Sequence, residues 1–219
     1  MTVFLFLLII SFPTLSSTDQ AKPFEGELVY QFVKTFKPTE TNSSEVKVYI
    51  KKSIMRADFP LTISGKSSTP YVVIDHRIGR LDYIDASKEF AAKYPINNPD
   101  FKSAAQPINL QEKSTIEVIG KNALYVYTGK IKYENSSSDF KAYYHQSISV
   151  PPAFARVPPI TIINPELDIL NYLYAPVEKT ILIKADYKDQ DGINISIKLV
   201  KITIKNIDDT IFKIPEFKK

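Results

Sequence analysis

The segment TILIKADYKDQDGINISIKLVKITIKN, residues 180–206, constrains the fold more than any other part of the chain. Two runs of alternating apolar and polar residues flank Asp191-Gly192, a dipeptide suited to the positive φ that two-residue hairpin turns require. On the second run Ile193, Ile195, Ile197 and Leu199 share one face, but further on the apolar positions are Val200, Ile202 and Ile204. Side chains of a strand point alternately to opposite faces, so a switch of parity inside a continuous run predicts a β-bulge, which bends a sheet. The chain therefore carries an antiparallel hairpin with a built-in bend.

Similar alternation recurs upstream. FEGELVYQFVKTF sets Leu28, Tyr30 and Phe32 against Glu27 and Gln31, and EVKVYIKK places Val46, Val48 and Ile50 on one side. With TETNSS as a polar turn between them, the pair reads as a hairpin. SIMRADFP predicts the next strand, stopped by Pro60, and TISGKSSTP a loop. YVVID, RLDYID and EFAAKYPI read as a three-strand meander joined by HRIG and ASK. NNPDFKSAAQP reads as an irregular connection. STIEVIG, ALYVYTGKIKY and FKAYYHQSISV continue the strands, with ENSSSD as a turn. Only 6 glycines, no tryptophan and many Ile, Val, Tyr and Phe suit strands better than helices.

The pattern changes at residues 151–174. Prolines at 151, 152, 158, 159 and 165 interrupt any central strand. Asn164 offers an N-cap, Pro165 suits a first helical turn, and Leu167, Leu170 and Tyr174 fall on one helical face. One short amphipathic helix covering an end of the sheet is expected there, and DDTIFKIPEF closes the domain. The expected fold class is mainly β (α+β), with residues 24–217 forming one domain.

At the N-terminus, the apolar run 3–12 ends at Pro13 and is followed by small polar residues. It is too short to span a bilayer and matches a secretory signal, residues 1–16, with Thr14-Leu15-Ser16 before the cut. No Lys or Arg precedes the run, which leaves a retained interfacial anchor as the alternative. The expected location is exported, periplasmic or secreted, with no transmembrane segment after signal cleavage. The chain has no cysteine, which excludes disulfides, thiol chemistry and lipid attachment through cysteine. The net charge of +4, from 28 basic and 24 acidic residues, is too small and too interleaved to argue for nucleic acid.

The two histidines, His76 and His145, are the candidates for chemistry. His76 stands between Asp75 and Arg77, but adjacent strand residues point to opposite faces, so Asp75 is poorly placed to orient it. Residues 76–79 read instead as a tight turn flanked by Asp75 and Arg80. His145 lies on a strand opposite in facing to Tyr144, and both histidines read as exposed polar positions. Neither shows the close ligand spacing of a zinc site. In DYKDQDG, placing Gly192 sixth in a calcium loop puts Tyr187 first and Lys198 twelfth, so the required carboxylates are missing. There is no phosphate-binding glycine loop. No catalytic residue, cofactor or metal ligand is assigned, and a non-enzymatic role is expected.

FEGELVY, VIDHRIGRLDYIDASKEFAAKY, STIEVIGKNALYVYTG and IDDTIFKIPEF, in that order, resemble an uncharacterised family of exported bacterial domains. That family is similar to the LolA/LolB-like superfamily of periplasmic lipoprotein carriers and receptors. Leu81, Tyr83, Ile84, Asp85, Lys88 and Tyr94 fill the family's places in the middle segment. The resemblance implies a half-barrel: one strongly curved antiparallel sheet around an apolar concave face, with one or a few short covering helices. It also implies a lipid or other apolar ligand as partner, held in that face. Leu28, Tyr30, Phe32, Val48 and Ile50 are the candidate lining residues, because they share one face of the first hairpin. The alternative expectation is a structural or protein-interaction module of the cell envelope, with an envelope protein as partner and a self-filled core.

Overall fold

The computed structural model describes residues 24–37, 39–63, 66–96, 106–110, 115–119, 122–132, 137–149, 180–189 and 191–217. Its strands are β1 (Gly26–Lys37), β2 (Glu40–Lys51), β3 (Ile54–Asp58), β4 (Leu61–Ile63), β5 (Lys66–Ser68), β6 (Tyr71–Asp75) and β7 (Arg80–Asp85). They continue with β8 (Phe90–Pro95), β9 (Gln106–Leu110), β10 (Thr115–Ile119), β11 (Asn122–Lys132), β12 (Ser137–Ser149), β13 (Thr180–Lys188) and β14 (Asn194–Ile204). Twelve strands form one antiparallel sheet in the order β10-β11-β12-β13-β14-β1-β2-β3-β6-β7-β8, with β9 paired to the far half of β11 on the same edge as β10. β4 and β5 make a separate small hairpin.

The chain walks outward from β1 to β8, then re-enters at the other edge and walks back to β14, which pairs with β1. This path requires curvature. A flat sheet would set its two edges about 48 Å apart, at roughly 4.8 Å per strand spacing. The ten residue steps from Ile96 to Gln106 (106 − 96) reach at most about 36 Å when fully extended. The sheet must curl for the connection to be made.

Two irregularities supply bend. Tyr30 pairs with Leu199 while Val29 pairs with Lys201, so Val200 is the extra residue of a bulge, at the point where the sequence parity switches. Similarly, Tyr143 pairs with Lys184 and Tyr144 with Leu182, leaving Ile183 extra on β13. The main-chain N–H of Phe24, just ahead of β1, donates to the Ser149 carbonyl at the end of β12 at 2.9 Å. β13 and β14 lie between those two strands elsewhere in the sheet.

The inner, concave face carries the main core. Leu28, Tyr30, Val48, Ile50, Met55, Val72, Ile74 and Leu81 meet Tyr127, Phe140, Tyr144, Leu182 and Ile197 in one buried cluster. On the outer face, Tyr71, Val73 and Ile84 are covered by Ile207 and Phe212 from the C-terminal segment. That segment contains a 3-10 turn, Asp209–Phe212, and is held by main-chain contacts. Lys51 Nζ donates to the Ile207 carbonyl at 2.6 Å, and Arg56 Nη1 donates to the Ile211 carbonyl at 2.7 Å. Arg56 also stacks 3.7 Å from the Tyr71 ring centroid and pairs with Asp58 at 2.6 Å. β6 is consequently buried on both faces, which explains its unbroken apolar run YVVI.

The mainly β class, the hairpins and the meander agree with the sequence. Several local expectations are corrected: Ser137–Asp139 of ENSSSD already belong to β12, and Gln106 and Pro107 of NNPDFKSAAQP open β9. Thr41–Ser44 of TETNSS are not a turn but the exposed start of β2, paired with Phe32–Thr35. Backbone pairing needs no apolar side chain, so a polar stretch can extend a hairpin without any periodic signal. TISGKSSTP, read as a loop, contains the β4–β5 hairpin. The signal segment 1–16, the proline-rich stretch 151–165 and the helix expected around 164–174 lie outside the described residues.

Candidate functional site

The five candidate lining residues come together on β1 and β2. Leu28, Tyr30, Val48 and Ile50 have no exposed surface and Phe32 only 6%, and all belong to the concave cluster. Their neighbours across the ladder are apolar: Leu199 stands opposite Tyr30 and Ile197 opposite Phe32. The middle of the concave face is thus filled by the protein's own side chains.

Space opens instead at one end of that face. A groove of about 830 Å3 lies where β11, β12, β13, β14 and the end of β1 come together. Phe140, Tyr187 and Ile195 give it apolar walls, with the Phe140 and Tyr187 rings 6.1 Å apart. Phe140 and Ile195 also belong to the core cluster, so the groove is continuous with it. Thr35, Ser138, Asn194 and Ser196 add polar groups around the apolar patch.

Three of the four charged residues that line the groove, Asp139, Lys141 and Asp186, are ion-paired. Lys130 lies 3.6 Å from Asp139, and Lys184 lies 2.7 Å from Asp186, which also accepts from Ser196 Oγ at 2.9 Å. Lys141 lies 3.0 Å from Glu117, and the Tyr143 hydroxyl and Glu117 together hold its ammonium above the ordinary lysine value. The Ser138 hydroxyl accepts the Lys188 N–H at 2.8 Å, fixing the two strands at the groove wall. Such a mouth suits a neutral or apolar body better than a strongly ionic one.

These groove residues were not singled out in the sequence. Ile195 was legible as an inward position, but the approach of β11 and β12 to β14 depends on strand order, which alternation does not encode.

His76 starts the turn between β6 and β7, and Gly79 closes it with φ 62°. Asp75 and Arg80 pair across that turn, as expected. Asp75 binds Arg77 rather than orienting the imidazole: Arg77 Nη2 donates to Oδ2 at 2.7 Å, and this bond is the first cause holding the Asp75 carboxyl below its usual range. Asp82, only 1% exposed, pairs with Arg80 at 2.7 Å. Burial by itself would raise Asp85, but hydrogen bonds from Ser87 and Lys88 hold it low, and it caps the 3-10 turn Ala86–Lys88. The cluster is structural punctuation at both ends of β7.

Both histidines depart from the exposed positions expected of them, His76 and His145 each being half-buried. His145 Nδ1 accepts the main-chain N–H groups of Ser147 at 3.0 Å and Ile148 at 3.2 Å. Burial pushes both imidazoles below the ordinary histidine value, with Asp75 opposing the shift at His76. Among the described residues, no group of three or more His, Asp and Glu side chains is gathered where it could hold a metal ion.

Comparison with solved structures finds similarity to a LolA superfamily protein from Nitrosomonas europaea. The two share 8% identity over 87% of this chain and 90% of that one, with a TM-score of 0.38. No protein-family model and no curated protein matches the chain.

Proposed function

We propose that the protein is a non-catalytic exported binding module that takes a lipid or other apolar ligand at the open end of its concave face. The observation that carries this reading is the groove of about 830 Å3 whose Phe140 and Ile195 walls run into the core while its Asp139, Lys141 and Asp186 are ion-paired. Its size falls in the usual range of small-ligand sites, roughly 300–1,000 Å3. Export is supported by the signal-like residues 1–16. Leu28, Tyr30, Phe32, Val48 and Ile50 then form the packed floor behind the ligand.

Native mass spectrometry of protein purified from its own host, with titration of a fluorescent fatty acid, tests the proposal. A co-purified apolar mass, together with probe binding that Asn194→Trp abolishes without loss of Tm, is expected. Repeated absence of both ligand and probe binding overturns it. The complete burial of Leu28, Tyr30, Val48 and Ile50 favours the second reading, an envelope interaction module with a self-filled core. A stoichiometric envelope protein in pull-downs, with no bound lipid, would establish that reading instead.

A further inference from the structure

Between the pairs Tyr144–Leu182 and Ser149–Thr180, β12 advances five residues while β13 advances two (149 − 144 and 182 − 180). Three surplus residues are therefore looped out of the ladder, and their main-chain groups need partners elsewhere. The His145 ring supplies one: Nδ1 accepts the N–H groups of Ser147 and Ile148. A nitrogen accepting two such bonds carries no proton, so the imidazole is neutral, with its proton on Nε2.

The looped segment stands at a junction. Immediately after Ile148, Ser149 pairs with Thr180 and its carbonyl accepts the N–H of Phe24. Thr180 is buried, and Phe24 belongs to the concave core. Whatever holds residues 145–148 in shape therefore also holds the start of β1 against the end of β12.

We propose that His145 is an acid-sensitive latch on this junction: protonation of Nδ1 ejects the Ser147 and Ile148 N–H groups and releases Phe24 from Ser149. Once protonated, the ring has no acceptor and faces two donors with a third. The charged groups nearest to it among the described residues are already engaged with one another. On its own strand, Lys141 and Tyr143 share the face of His145. On β11 its partner is Leu124, and on β10, beyond Leu124, stands Glu117, already bonded to Lys141 at 3.0 Å. On β13 Lys184 lies opposite Tyr143 and is bonded to Asp186 at 2.7 Å.

The neutral form is the one the fold retains, so the stabilisation is complete above the ordinary histidine value of 6.5. It declines as the pH falls below that value, because the unfolded chain takes up the proton first. This latch is independent of the ligand reading: it predicts a local opening whether or not the groove is occupied.

Amide hydrogen exchange on the intact protein, expressed as protection factors, tests it. Between pH 7 and pH 5, protection at Phe24, Ser147 and Ile148 is expected to fall by at least about tenfold, while the middle of β2 holds. His145→Gln, whose carboxamide oxygen is a non-titrating acceptor, is expected to abolish that pH response, and His76→Gln to retain it. An unchanged wild-type protection profile, or the same pH response in His145→Gln, overturns the proposal. If His145→Gln does not fold, ¹⁵N spectra of the wild-type imidazoles decide: a protonated Nδ1 at neutral pH, or titration at or above 6.5, overturns it.

Discussion

The hydroxyl of Tyr30 donates to the main-chain oxygen of Leu182 at 3.1 Å, linking β1 to β13 across the intervening β14. Pairing between β13 and β14 spans only Lys184–Lys188 against Asn194–Lys198, so Leu182 lies where β13 has left its neighbour. A ring from the concave face thus bonds to a backbone oxygen of β13 beyond the stretch that pairs with β14. Replacing Tyr30 with Phe keeps the packing and removes the bond. A loss of about 1–3 kcal/mol in denaturant unfolding is expected, as for a buried acceptor left without its donor. Tyr30→Ala, which also empties the core, should cost about 3–5 kcal/mol.

Gly26 opens β1 with φ 154°, and a Cβ there would run into the main-chain oxygen of Thr203 on β14. Gly26→Ala is expected to lower stability by at least about 2 kcal/mol through backbone strain and loss of close pairing. Gly192 has φ 77° but open space around it, so Gly192→Ala should cost only about 1 kcal/mol. Equal losses in the two variants, measured by chemical unfolding, would count against the close-approach account.

The Asp75–Arg77 pair should appear in the acid limb of stability. Hydrogen bonding to Arg77 holds the Asp75 carboxyl below its ordinary value of 3.8, so its contribution is complete above that value. It is lost as the pH falls through the lower folded-state value, because the unfolded chain binds the proton first. Arg77→Ala should therefore be less stable than wild type at pH 7, with the gap narrowing toward pH 2. A gap independent of pH, in unfolding curves taken across that range, would assign the effect of Arg77 to packing.

Much of the fold is legible in the sequence because alternation reports directly on which face is buried. The Asp191-Gly192 turn, the meander from Tyr71 to Pro95 and the bend at Val200 follow from residue order alone. The candidate residues Leu28, Tyr30, Phe32, Val48 and Ile50 were legible as inward-facing, but alternation gives a side chain's direction and not whether space remains beside it. The groove walls at Phe140 and Tyr187 depend on which strands meet, and no local pattern specifies that. Nor does periodicity reveal that Ile207 and Phe212 cover the outer face, since the C-terminal segment is held through backbone carbonyls by Lys51 and Arg56. His145 illustrates the same limit: its partners are main-chain groups freed by a bulge, and a bulge of three residues leaves no parity signal in YYHQSIS.

The meeting of β1 with β14 has a consequence for how the chain reaches this state. Gly26 pairs with Ile204, 178 residues further on (204 − 26). A ribosome delivers β1 near the beginning and β14 near the end, so one flank of β1 waits through most of synthesis. Ladders closed over such separations form late and slowly, since the whole intervening chain must be ordered or looped first. The central seam of the finished sheet is thus its youngest part, and until it closes the first half presents an unpaired edge of the kind that invites association between chains.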